Sequence, residues 1–133
     1  MSAFLTGFLI DTDLLIDVLR GIEPTVSRLA SLTGPVWFSV VTEAELWAGV
    51  DDGDEPAREA LSTLLASMSP MPVDRPIAST AGRYLRKHKD QGTSLADALI
   101  AASASAHDLT LLTKNARHFP MADLRVETVS STP

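Results

Sequence analysis

The chain has 133 residues, 45% of them hydrophobic, with 11 Lys+Arg against 17 Asp+Glu and a formal net charge of −6. That length suits one domain burying roughly two-thirds of its unfolded surface, and the apolar content excludes a disordered chain. The absence of cysteine excludes a disulfide framework, a thiolate metal site and a thiol nucleophile, and points to a reducing compartment.

The first ten residues carry no basic stretch and lead straight to Asp11, Asp13 and Asp17, so no leader peptide is expected. No segment approaches the ~20 apolar residues of a membrane span. A soluble, cytoplasmic protein is the expectation.

Phe8-Leu9-Ile10 predicts a buried strand ending at Asp11. Leu14, Leu15, Val18 and Leu19 recur at helical spacing until Gly21. A second helix is expected from Pro24 towards the Gly34-Pro35 breaker. Val36 to Val40 reads as a strand, and Thr42 opens a helix that stops at Gly49. Asp51 to Glu55 is a polar loop, and Glu55 to Ser67 is helical, with Leu61, Leu64 and Leu65 on one face.

Pro70 to Asp74 predicts an extended link, an edge strand by reason of its prolines. Ile77 to Lys89 predicts a helix, Leu95 to Ala106 another rich in small residues, and Leu109 to Thr113 and Val126 to Val129 two further strands. Strands alternating with helices indicate an α/β fold with a parallel sheet.

The charge is unevenly spread. Residues 1–74 hold 3 basic and 12 acidic residues, a net of −9, whereas residues 75–133 hold 8 basic and 5 acidic, a net of +3. Arg83, Arg86, Lys87 and Lys89 fall within seven positions. They form either a solvated helix face or a contact for an anionic partner.

No phosphate-binding glycine loop, dinucleotide fingerprint or Gly-x-Ser-x-Gly elbow is present. His88, His107 and His118 lack the spacing of a zinc helix. What remains is carboxylates at informative places. In open parallel sheets ligands bind beyond the carboxyl ends of the strands, where Asp11 and Asp13 fall, although either also suits a helix cap. Glu45 follows Thr42 by three residues and Asp97 follows Ser94 by three, both capping-box spacings.

Asp97 also interrupts the otherwise apolar run from Leu95 to Ala102, and no basic residue lies within helical reach on that segment. A carboxylate buried there requires a partner or a metal. Three carboxylates at one sheet edge repel one another unless a cation is present. Oxygen donors without Cys or paired His point to Mg²⁺ or Mn²⁺. The segment Thr113-Lys114-Asn115-Ala116-Arg117-His118-Phe119 arrives at the same edge. In it Lys114 is expected to be solvated, while Asn115 and His118 are able to hydrogen-bond a metal-bound water or a phosphate.

Three stretches together, residues 8–16, residues 39–49 and residues 96–102 with 112–119, resemble the PIN-domain ribonucleases, most closely the VapC-type toxins of bacterial toxin–antitoxin pairs. The resemblance implies a PIN-like three-layer fold over residues 1–133, with a parallel sheet of about four or five short strands flanked by helices. It implies Asp11, Glu45 and Asp97 as catalytic metal ligands, Mg²⁺ or Mn²⁺ as cofactor, RNA as substrate, a cognate antitoxin, a homodimer and no membrane. The family's fourth acidic position falls where this chain has Asn115 and His118. On this reading Asp13 and Thr113 orient ligands or waters, and Lys114, Arg117 and the 83–89 cluster grip the RNA backbone.

Two other readings compete. Asp11-Thr12-Asp13 is similar to the Asp-x-Asp of haloacid-dehalogenase-type phosphatases, although Leu15 stands where those enzymes usually carry Thr or Val. A receiver-type signalling module also places acids after its first strand and would use Asp74 as phosphoacceptor, but it leaves Glu45 and Asp97 without a role.

Overall fold

In the computed structural model, which describes residues 7–130, five parallel strands form one sheet and six α-helices flank it. The chain runs β1 (Phe8–Ile10), α1 (Thr12–Leu19), α2 (Glu23–Ala30), β2 (Val36–Ser39), α3 (Val40–Ala48), α4 (Glu55–Ala66), β3 (Ser69–Met71), α5 (Arg75–His88), α6 (Leu95–Ala106), β4 (Thr110–Thr113) and β5 (Val126–Thr128). Single 3-10 turns lie at Lys89–Gln91 and Ala116–His118. The expected three-layer α/β architecture is borne out. The reading that no leader precedes the domain rests largely on residues 1–6, which lie outside the described residues. No described helix is long and apolar enough to cross a membrane.

The strand order is β3-β2-β1-β4-β5, with Leu9 level with Trp37 on one side and with Leu111 on the other. Successive side chains of a strand face opposite ways, and each face builds its own core. Leu9 and Leu111 pack with Ile77 and Ala81 of α5 and with Ala98 and Ala101 of α6. Ile10 and Leu112 pack with Leu14 and Leu15 of α1, Leu46 of α3 and Leu61 of α4. Helix α6 is buried along most of its length, and its alanines and Ser103 account for that, since small side chains let a helix lie close to the sheet.

Two boundaries differ from expectation in ways that affect the site. Strand β2 stops at Ser39, because the Ser39 hydroxyl accepts from the backbone N–H of Val41 at 3.0 Å and caps α3 there. That local cap outweighs the β-preference of Val40 and Val41. Thr42 is therefore inside the first turn of α3 and does not cap it.

The proline-bearing edge strand exists but is displaced to Ser69–Met71, paired with Trp37–Ser39. Pro72 ends it by offering no N–H to the ladder. Asp74 then caps α5 by accepting from the N–H of Ile77 at 3.0 Å. It lines a hollow with Pro35 and Leu109, which precede β2 and β4. Asp74 thus sits at the end of the sheet opposite Asp11 and Thr113, and the receiver-type reading loses its phosphoacceptor.

Candidate active site

Strand β1 is where the sheet order turns: β2 and β3 build outward on one side, β4 and β5 on the other. The crevice beyond the carboxyl ends of β1 and β4 is the expected ligand position of such a sheet. Asp11 leaves β1 there and Thr113 ends β4 there. The Thr113 hydroxyl, fully buried, donates to Asp11 Oδ2 at 2.7 Å and accepts from the Asn115 N–H at 3.0 Å. Asp11 Oδ1 accepts from the N–H of Thr12 at 2.9 Å, which makes Asp11 the N-cap of α1.

Asp11 is only 7% exposed. Burial, then the charge of Asp13, pushes its carboxyl up to about 7, and Asp97 adds to the rise. The hydrogen bonds from Thr113 and Thr12 act in the opposite sense and are outweighed. Capping and electrostatic strain thus coexist in one residue.

Asp13 lies in the first turn of α1. Its Oδ2 accepts from Asn115 Nδ2 at 2.9 Å and from the Lys114 N–H at 3.3 Å. Its Oδ1 is buried and has no hydrogen-bond partner. Burial raises the Asp13 carboxyl above its ordinary value, against the lowering effect of Lys114, the Leu14 N–H and Asn115.

Glu45 is exposed on α3, and its Oε1 accepts from the Thr12 hydroxyl at 2.6 Å. Thr12 also lies 2.9 Å from the buried Thr42 hydroxyl. The Thr42–Glu45 capping box suggested by spacing is not formed, since α3 begins two residues before Thr42. The Ser94–Asp97 box is formed. The Asp97 N–H donates to Ser94 Oγ and the Ser94 N–H to Asp97 Oδ2, each at 3.0 Å. Asp97 is half-buried, and the ring of His118 comes close to it, with Nδ1 3.8 Å from Oδ2. That partner comes from the β4–β5 connection, out of reach of any helical spacing rule.

Sequence reasoning did not find the role of Asp17. This α1 carboxylate is 4% exposed; Oδ1 accepts from Lys114 Nζ at 2.9 Å and Oδ2 from the Thr25 hydroxyl at 2.8 Å. Burial alone would raise it, but the Lys114 and Thr25 contacts, with Lys114 and Arg20 charges, hold it below the usual carboxylate range. Lys114 is therefore not the solvated cation expected from a polar loop. It is a strut fixing the 113–118 segment to α1. The available signal was an acid among the apolar positions of a helix, which demands a partner.

The charges of Asp13 and Asp97 both act on Asp11, and Glu45 is linked to Asp11 through Thr12. Among the described residues, no group of three or more His, Asp or Glu side chains is placed to hold a metal ion. Glu45 rests on Thr12 and Asp97 on the Ser94 amide. The chemistry of this corner nevertheless suits a hard divalent cation, because its acidic side chains offer carboxylate oxygens, Asp13 Oδ1 lacks a partner, and Asp11 resists ionisation unaided. A cation there would relieve the last two conditions together.

The PIN domain model matches residues 8–124. The chain belongs to the PIN domain family. It is 42% identical over 119 residues to Ribonuclease VapC10 of Mycobacterium tuberculosis, covering 85% of this chain and 86% of the relative. The crystal structure of VapBC2 from Rickettsia felis bound to a promoter DNA fragment superposes with a TM-score of 0.82 at 21% identity, over 92% of this chain and 98% of that one. The crystal structure of VapBC-5 from Mycobacterium tuberculosis, a member of the VapBC family of toxin-antitoxin systems, does so with a TM-score of 0.66 at 27% identity, over 94% and 98%. With PIN membership established, the phosphatase and receiver readings are set aside.

Proposed function

We propose that this PIN-domain chain is a divalent-metal-dependent endoribonuclease, a single domain over residues 1–133, acting as the toxin of a toxin–antitoxin pair in the cytoplasm. Its likeness to a relative named a ribonuclease supports the activity. The observation that carries the catalytic reading is the Asp11 corner. There a buried carboxylate is driven to about 7 by burial and by Asp13 and Asp97, at the crevice where β1 and β4 part.

Asp11, Glu45 and Asp97 are the residues assigned to hold the ion, Mg²⁺ or Mn²⁺ in its place. An ion held there would supply Lewis-acid polarisation of a scissile phosphate and activation of water. The protein's part is orientation. Thr113 and the Thr12 amide fix the two oxygens of Asp11, the Thr12 hydroxyl turns Glu45 towards α1, and the Ser94 cap fixes Asp97. Each carboxylate is thereby restricted before substrate arrives, which limits the ordering cost of reaction.

Exposed Arg117 and the exposed Arg83, Arg86, Lys87 and Lys89 at the end of α5 supply the cationic contacts for RNA phosphates. Lys114 does not join them, since its ammonium is committed to Asp17.

The antitoxin partner is supported by the likeness to VapBC-5, and the homodimer is part of the same proposal. The test is cleavage of RNA by the wild-type chain and by Asp11→Asn and Asp97→Asn, with Mg²⁺ and with EDTA. Cleavage by the wild type with Mg²⁺ alone supports the proposal. Activity surviving both substitutions and chelation overturns it.

A further inference from the structure

The orphaned oxygen of Asp13 has a use that the three assigned ligands do not cover. Oδ2 is anchored by Asn115 Nδ2 at 2.9 Å and the Lys114 N–H at 3.3 Å, so the carboxylate cannot turn without breaking both contacts. Oδ1 is thereby held in a buried position with no hydrogen-bond partner. A buried acceptor left unsatisfied is costly. The 113–118 segment that fixes it is in turn tied down by Lys114 on Asp17, itself buried. A carboxylate immobilised this firmly, with one buried oxygen left without a hydrogen bond, is arranged for something outside the protein.

We propose that Asp13 is a direct ligand of the divalent cation through Oδ1, and that Asn115 is the positioning residue that presents it. This rests on the metal-dependent reading above and adds a carboxylate to it. Asp13 shares its anchorage with Asp11: Thr113 donates to Asp11 Oδ2, and Asn115 donates both to that Thr113 hydroxyl and to Asp13 Oδ2. Asn115 is suited to its part because an amide donor holds one oxygen of Asp13 without neutralising the charge, as an arginine or lysine there would.

The substitution Asp13→Asn isolates the ligand. Its amide oxygen still accepts from Asn115 and from the Lys114 N–H, so the clamp persists while the charge and the orphaned oxygen are lost. The experiment is calorimetric titration of the full chain with Mn²⁺, no RNA being present, with folding of each variant checked by circular dichroism. Expected results are at least a tenfold loss of Mn²⁺ affinity in Asp13→Asn and a three- to tenfold loss in Asn115→Ala, where Asp13 keeps its charge but loses its anchor. The double variant Asp13→Asn/Asn115→Asp, which moves the carboxylate across the same pair, should recover most of the loss. Unchanged Mn²⁺ affinity in a folded Asp13→Asn overturns the inference and leaves the ribonuclease reading standing. If Asp13→Asn does not fold, undiminished affinity in Asn115→Ala overturns the inference. Failure of the wild-type chain to bind Mn²⁺ overturns both readings.

Discussion

Thr113 Oγ1 and Asp11 Oδ2 stand 2.7 Å apart although 102 positions separate them in the chain. The contact joins the ends of β4 and β1 across the turning point of the sheet, and it fixes one oxygen of the buried Asp11 carboxylate.

The raised Asp11 carboxyl makes metal-free stability depend on pH. Its value is about 7 in the folded chain against an ordinary 3.8. Between those values the folded state holds a proton that the unfolded state has lost, so stability falls as pH rises through this window. The group's full contribution is on the order of 4 kcal/mol. Asp17, lowered by Lys114 and Thr25, already gives its full stabilisation above its ordinary value and does not oppose this trend. Urea denaturation in EDTA should show the wild type losing stability from pH 5 to pH 8, with a much flatter profile for Asp11→Asn. Equal slopes would refute the electrostatic account.

Metal binding should show the complementary dependence. If Asp11 holds the ion as proposed, its ionised form binds, so Mg²⁺ affinity should rise by up to about tenfold per pH unit below pH 7 and level off above it. Titrations at pH 5.5, 6.5 and 7.5 check this, and a pH-independent affinity would contradict it.

The Asp17–Lys114 pair should govern stability more than chemistry. Lys114→Met leaves Asp17 buried with only Thr25 as donor, at a cost of about 3 kcal/mol. Asp17→Leu/Lys114→Met removes both charges and should regain most of that, because apolar replacement of a buried pair is close to neutral. Chemical denaturation of both single variants and the double variant measures the coupling. A double variant as unstable as the sum of the singles would show that the two residues act separately.

Thr12→Val should separate orientation of Glu45 from its presence. The hydroxyl that donates to Glu45 at 2.6 Å is lost, whereas the carboxylate is exposed and keeps its solvation. Stability should change by less than about 1 kcal/mol, while RNA cleavage at limiting Mg²⁺ falls about tenfold. Thr12→Ser should restore it. Equal cleavage by wild type and Thr12→Val across the Mg²⁺ range would remove Thr12 from the site.

Ser94→Ala deletes one half of the capping box around Asp97 and should cost about 1 kcal/mol. Asp97→Asn retains an acceptor for the Ser94 amide and should cost less stability, yet abolish cleavage. Thermal melts alongside RNA assays distinguish the two. A stable Asp97→Asn that still cleaves would take Asp97 out of the reaction.

Much of this protein is decided within short stretches of chain. Helix α6 is bounded by Ser94 and its Asp97 partner three residues on, and strand β1 by the apolar triplet before Asp11, because caps and periodicity act over one or two turns. The alternation that sends Leu9 to one core and Ile10 to the other is equally local. Even the acids at the strand ends follow from the parallel topology that such a pattern imposes.

What spacing could not decide is which donor each carboxylate finds. Glu45 turns to Thr12 and not to the cap three residues before it; Lys114 turns inward to Asp17; and Asp13 keeps one oxygen on Asn115 and the other on nothing. These contacts join residues 33, 97 and 102 positions apart. The sequence by itself determined the layers, the strand ends and the acids gathered there. Only the tertiary structure decided which of those acids are satisfied and which keeps a buried oxygen unpaired, because hydrogen-bond partners are selected by proximity in the folded chain and not by separation along it.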